Sequence, residues 1–231
     1  FELARVFRPR PSEVLPDEAH EFGFLLWGQR GLWYEEGEPY DFYDAKAAAT
    51  SVVHIMSGRD PETHEDEALD IDAPELHPKR RARLVLAGQA IGVLGELHPD
   101  VVQACGLEGR PVWCRIEVAS LAAAVAHLGP TRATGMPRFP SATRDLAVVV
   151  AEDVMAGHVA SVLREAAGPL AEEVRLFDLY RDEPVPAGHK SLAFRVVYRD
   201  SGATLTDKLV DELHGKLLRA AEERFAASVR R

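Results

Sequence analysis

At 231 residues the chain is long enough for two modest cores, and two domains are expected. Its longest mildly apolar stretch, 118–128, is interrupted by Ser120 and His127, which excludes a spanning helix. A net charge of −10 excludes a purely electrostatic grip on nucleic acid, and two cysteines without CxxC spacing exclude a disulfide framework and fit a reduced, cytoplasmic compartment. Both Cys105 and Cys114 lie in apolar surroundings and are expected in cores. The charge is unevenly spread. Residues 1–136 hold 22 acidic and 13 basic side chains, a balance of −9, whereas 137–231 hold 15 and 14, a balance of −1. Only the second part is electrostatically permissive for RNA.

In chain order, FELARVF opens as a strand alternating Phe1, Leu3 and Phe7 with polar or small residues, and with no initiating Met the chain is expected to begin inside a larger protein. A strand is predicted over 21–27. Phe42, Ala45, Ala49, Val52, Val53 and Met56 share one helical face. Residues 58–78 are dense in Asp, Glu and Pro and are expected to form a long solvated connection. A hairpin pairs 83–86 with 90–94 across Gly88 and Gln89, followed by a strand at 112–118 and a short helix at 120–128 closed by Gly129 and Pro130. The mixed order reads as α+β.

Two Gly and Pro pairs within 129–140 mark the domain boundary, giving domains over 1–130 and 138–231 with a linker at 131–137. A strand at 145–150 follows. Met155, His158, Val159, Val162, Leu163 and Ala166 then make a helix face that Gly168 and Pro169 end. Strands at 174–180 and 191–198 flank a Pro and Gly turn that includes Pro186 and Gly188. A helix capped by Thr206 and Asp207 runs through Val210, Leu213, Leu217 and Ala221, and 226–231 form a terminal strand. The order is βαββαβ, a split-βαβ ferredoxin-like arrangement.

Both helices of such a fold cover one face of the sheet, so strand alternation separates a core face from an open one. The bulky set is Leu146, Val148 and Val150, then Phe177 and Leu179, then Leu192, Phe194, Val196 and Tyr198. Opposite it fall Ala147 and Val149, Asp178 and Tyr180, and Ser191, Ala193 and Arg195. This second set suits unstacked bases: Tyr180 is a stacking plane, the alanines admit a base to the backbone, and Asp178, Ser191 and Arg195 can bond base edges or phosphate. The same face would also suit packing against a neighbouring domain. The common RNA-recognition module shares the topology but carries open-face aromatics on its third strand, which KSLAFRVVYR lacks.

The phrases PRFPSATRDLAVVV and LFDLYRDEPVPAGHKSLAFRVVYRDSGATLT, in that order before a C-terminal helix, resemble the anticodon-binding domain of the bacterial phenylalanyl-tRNA synthetase β subunit. FELARVF, YDFYDAKAAATSVV, AIGVLGELHPDVVQACGL and PVWCRIEVASL more loosely resemble the end of that subunit's non-catalytic, class II-like module. The resemblance implies binding to the anticodon loop of phenylalanine tRNA, with Ala147, Tyr180 and Ser191 in the contact surface; Asp178 and Arg195 are added from the alternation. It further implies an α subunit that carries the ATP- and Mg²⁺-dependent aminoacylation, in a heterotetramer of two α and two β. This stretch is then expected to hold no catalytic residue and no cofactor of its own. One departure is LHPKRRARL, whose Lys79, Arg80, Arg81 and Arg83 read as a solvated turn or, second, as a local phosphate contact.

Other chemistry finds little purchase. His54, His64 and His77 with the acids of 62–72 match no compact ligand motif, so no metal is expected, and His98 in GELHP reads as a turn residue. No GxxxxGK[ST], GxGxxG or GxSxG motif occurs. Two non-RNA alternatives stay open: an assembly module with its sheet buried on another subunit, and a regulatory ligand-binding domain of the same topology.

Overall fold

A computed structural model describes residues 1–10, 13–31, 34, 37–130, 135–225 and 228–230, the last three by their backbone alone. The chain divides into two compact units, Phe1–Ala133 and Thr134–Arg231. Of the expected linker 131–137, residues 131–134 lie outside the described residues, as do 226, 227 and 231 of the expected terminal strand. No helix among the described residues is long and apolar enough to cross a membrane.

The first unit is a six-stranded antiparallel sheet in the order β1-β2-β6-β5-β4-β3. Its strands are β1 (Glu2–Arg8), β2 (Asp17–Leu26), β3 (Glu62–His64), β4 (Leu76–Leu86), β5 (Gln89–Leu97) and β6 (Val112–Glu117). Helices α1 (Phe42–Ser57) and α4 (Val118–Leu128) lay Ala45, Ala49, Val53, Leu121 and Ala124 onto Phe24, Leu84, Leu94, Val112, Cys114 and Ile116. A capping box starts α1. The Tyr43 and Asp44 amides donate to Asp41 Oδ1 at 2.8 and 3.1 Å, and the Asp41 amide donates to Asp44 Oδ2 at 2.8 Å, satisfying N–H groups the helix leaves unpaired. Met56, expected on the buried face, is exposed, Val53 being the last residue of α1 that is buried.

The acidic run departs from the solvated connection expected of it. It contains β3 and the short helix α2 (Leu69–Asp72), and it buries Leu69, Ala73 and Leu76 against Val93. Arginines distant in sequence account for this. Arg83 binds Asp66 and, at 2.7 Å, Asp72; Arg81 binds Asp70; Arg115 reaches Glu75 at 3.2 Å. The Lys79–Arg83 cluster is therefore part of strand β4 and not a solvated turn. Its Arg80 also reaches Glu96 at 2.5 Å. His98 caps α3 (Pro99–Ala104), accepting from the Asp100 amide at 3.2 Å.

The β4–β5 hairpin turns on Ala87 (φ 50°) and Gly88 (φ 77°), with Leu86 paired to Gln89. A two-residue turn with positive φ at both centres favours Asn-Gly, and Ala87 has no side-chain oxygen to support the left-handed conformation. Ala87→Asn is expected to raise the first unit's stability by about 1 kcal/mol. Chemical denaturation checks this, and an unmoved midpoint would mean the turn is not strained.

The cysteines differ from the expectation of two core thiols. Cys114 is fully buried on β6, and burial pushes its thiol up to about 12; Cys105, the C-cap residue of α3, is exposed. A thiolate-selective reagent at neutral pH should modify Cys105 alone in the native chain and both residues after unfolding. Mass spectrometry of the two states reads this, and native labelling of Cys114 would show that β6 opens readily.

The second unit runs β7 (Ala142–Ala151), α5 (Ala156–Ala167), β8 (Ala171–Tyr180), β9 (His189–Tyr198), α6 (Asp207–Phe225) and β10 (Ser228–Arg230). Its antiparallel sheet has the order β10-β7-β9-β8. This is the ferredoxin-like arrangement that the element order predicts, and the chain as a whole is α+β. Val159, Leu163, Val210, Leu217 and Ala221 from the helices meet Leu146, Val148, Val150, Leu192, Phe194, Val196 and Tyr198 from the sheet. Arg144 ties β7 to the start of α6 through Asp207 and Asp211, both at 3.1 Å. Gly168, with φ 70°, ends α5.

Candidate nucleic-acid interface

Strands β7, β9 and β8 lie side by side, and their register sets the face away from the helices in three rungs. Ala147, Ala193 and Asp178 form the middle rung; Val149, Ser191 and Tyr180 lie on one side of it, and Asp145, Arg195 and Arg175 on the other. All five residues singled out in the sequence, Ala147, Asp178, Tyr180, Ser191 and Arg195, therefore share one face. The alanines leave a low floor between two rungs of larger side chains.

Phe177 does not join the core as its neighbours' alternation suggests. The β8–β9 register shifts between Leu176 and Asp178, so Leu176 and Leu179 lie opposite the core residues Phe194 and Leu192, while Phe177 is the extra residue of a bulge. A bulge adds one residue to one strand and reverses the parity beyond it. Phe177 is 48% exposed and its ring lies under the Arg195 guanidinium, 5.0 Å from the centroid, on the open face.

Each polar group of the face has a defined setting. The Tyr180 hydroxyl donates to the Glu183 carbonyl at 2.9 Å, which fixes the ring by its outer end, and the ring is 44% exposed. Asp178 Oδ1 accepts the Leu179 amide at 2.9 Å. Arg195 grips Asp145 with two parallel bonds, Nε to Oδ1 at 2.9 Å and Nη2 to Oδ2 at 2.7 Å, a geometry suited to the planar guanidinium. These bonds hold the Asp145 carboxyl below the ordinary carboxylate range. A depressed carboxyl contributes stability above its unfolded value and loses that contribution as pH falls through the folded value, so the pair is intact at neutral pH. At the rim, Arg181 pairs with Glu152 at 2.8 Å.

The sequence missed Phe177, Asp145 and Arg175 on this face. The signal for Phe177 was present: Leu176–Phe177 is an adjacent apolar pair that interrupts the alternation of 174–180, which marks a bulge. The first unit offers less. A cavity of about 440 Å³ contains Arg83, Arg115, Asp72 and Glu21, but its guanidiniums are occupied by neighbouring carboxylates. Among the described residues no group of three or more His, Cys, Asp or Glu side chains is placed to hold a metal, and His54 and His64 pair locally with Asp60 and Glu62.

A ferredoxin-like fold with one sheet face left open to small, polar and aromatic residues defines a class, and the second unit matches it by sequence: residues 137–230 fit the ferredoxin-fold anticodon binding domain. Residues 1–118 fit the phenylalanyl tRNA synthetase beta chain CLM domain. The chain belongs to the phenylalanyl-tRNA synthetase beta chain family. It is similar to the phenylalanine–tRNA ligase beta subunits of Moorella thermoacetica (40% identical over 232 residues, 100% of this chain and 28% of the relative) and Symbiobacterium thermophilum (39% over 223 residues, 95% and 24%). That of Bacillus subtilis is 31% identical over 232 residues, again 100% of this chain and 28% of the relative. The chain thus spans about a quarter of the length of the curated relatives it matches.

Proposed function

We propose that this chain is the anticodon-reading part of a phenylalanine–tRNA ligase β subunit, with residues 138–231 as the reading domain, 131–137 as linker and 1–130 as the end of a catalytic-like module that performs no reaction. The observation that carries this reading is the single open face that gathers Ala147, Asp178, Tyr180, Ser191 and Arg195. A base stacks on the tethered Tyr180 ring. Ala147 and Ala193 let it approach the strands, the Asp178 carboxylate accepts from base N–H groups, and the Ser191 hydroxyl serves either edge. A mismatched edge leaves one of these groups unpaired, which costs about 1–3 kcal/mol per group. The partners are phenylalanine tRNA and an α subunit in a cytoplasmic heterotetramer of two α and two β. ATP and Mg²⁺ act at the α subunit, and this chain positions the far end of the tRNA for that reaction.

The test is titration of the chain with transcribed phenylalanine tRNA and with the same transcript carrying a changed anticodon, at two salt concentrations. The near-neutral second unit predicts modest affinity with an anticodon preference that persists at the higher salt. Equal binding of the two transcripts would overturn the reading in favour of an assembly module.

A further inference from the structure

We infer that the open face holds a second base, stacked on the guanidinium plane of Arg195, with Phe177 and Asp145 as the residues that position that plane. The inference rests on the RNA-binding reading above and adds to it a second subsite, away from Tyr180.

Arg195 is fixed on two sides. Asp145 takes its Nε and Nη2 in a bidentate pair at 2.9 and 2.7 Å, and the Phe177 ring lies beneath it at 5.0 Å. The bidentate pair sets the plane of the group, and the ring bounds it on one side. Asp145 takes the side-on edge of the guanidinium, Nε and Nη2, and leaves the N–H donors of Nη1 directed away from that carboxylate. The face turned away from Phe177 is open as well, the Arg195 side chain being 42% exposed. Guanidinium planes, like aromatic rings, are platforms for unstacked bases.

The bulge gives the same indication. Without the extra residue, Phe177 would not stand on the open face, where an exposed phenyl ring forgoes the gain of burial. Its placement under Arg195 gives the arginine a floor that Asp145 alone does not supply.

Spacing separates this platform from Tyr180. Tyr180 lies across from Ser191 and Arg195 is four residues further along β9, so the two rungs are roughly 13 Å apart. One base cannot lie on both, whereas two nucleotides of an opened loop can, with the Ala147 and Ala193 floor between them. Charge favours an RNA strand over a protein surface here. Arg175 stands directly across from Arg195, whose charge Asp145 already meets, and Arg175 itself is 60% exposed and only loosely paired with Glu173 at 3.7 Å. Arg175 is the side chain of this rung best placed to exchange a loose, exposed pair for a backbone phosphate.

The experiment pairs protein variants with phenylalanine tRNAs carrying a single abasic nucleotide at each anticodon-loop position in turn. Wild-type chain should show two positions at which base removal weakens binding, each by about tenfold. Arg195→Met should abolish the penalty at one of them and keep it at the other, while Tyr180→Ala does the reverse. Arg195→Lys, which keeps charge without the plane, should behave as Arg195→Met, and Phe177→Leu should reduce the same penalty about threefold. A wild-type pattern in Arg195→Lys, or equal weakening by Arg195→Met with every transcript, would overturn the stacking role. A single sensitive position, assigned to Tyr180, would sink the second subsite and leave the anticodon reading standing. No anticodon dependence in the wild-type chain would overturn both.

Discussion

Tyr180→Ala is expected to weaken binding of phenylalanine tRNA by about ten- to a hundredfold and to narrow the difference between the native and changed anticodons. The size follows from base–aromatic stacking, worth about 1–3 kcal/mol per base. The ring is half exposed at the end of β8 and its hydroxyl is held by the Glu183 carbonyl, so the platform is in place before any ligand arrives. Tyr180→Phe keeps the plane and loses the tether, and should fall between wild type and Ala. Because little of the ring is in the core, denaturation midpoints should move by less than about 0.5 kcal/mol, as for other surface changes. Unchanged tRNA affinity in Tyr180→Ala would remove the ring from the reading face altogether.

The second large effect lies on the opposite side of the same sheet. Phe194, between Leu146 and Leu176 in the strand register, is wholly buried under α5 and α6. Phe194→Ala should destabilise the second unit by about 3–5 kcal/mol, through lost transfer energy and the cavity left behind. Against a usual domain stability of about 5–15 kcal/mol, that is a large fraction. Urea denaturation followed by the second unit's far-ultraviolet signal measures it, and a loss under about 1 kcal/mol would mean that the helices collapse into the space. Tyr180→Ala and Phe194→Ala thus separate binding from stability, each removing one aromatic from one face.

The order of elements in the second unit was legible because β9 alternates throughout and β7 does so until the buried run Val148–Val150, and their parity put Ala147, Ser191 and Arg195 together. On β8 alternation failed at Leu176–Phe177, where a bulge changes which face each residue meets, and only pairing with β9 settles the matter. That Arg195 is held by Asp145 was not readable, since the two are joined through a register between distant strands. The acidic run 58–78 misled for a similar reason. Its carboxylates repel one another as a string, yet Arg81, Arg83 and Arg115 meet them once the sheet has formed.

Strand β1 lies at the edge of the first sheet, paired on one side with β2, and Phe1, Leu3 and Phe7 on one of its faces are 97%, 65% and 58% exposed. Among the described residues no strand pairs with its outer side, and such an edge with an apolar flank is a template on which another extended segment can add. Charge opposes this. Arg5 interrupts the apolar row between Leu3 and Phe7 and pairs with Glu18 at 3.2 Å, and Arg8 pairs with Glu21 at the strand's end. Salt, which screens such exposed pairs, is expected to weaken this guard and to favour addition at the edge.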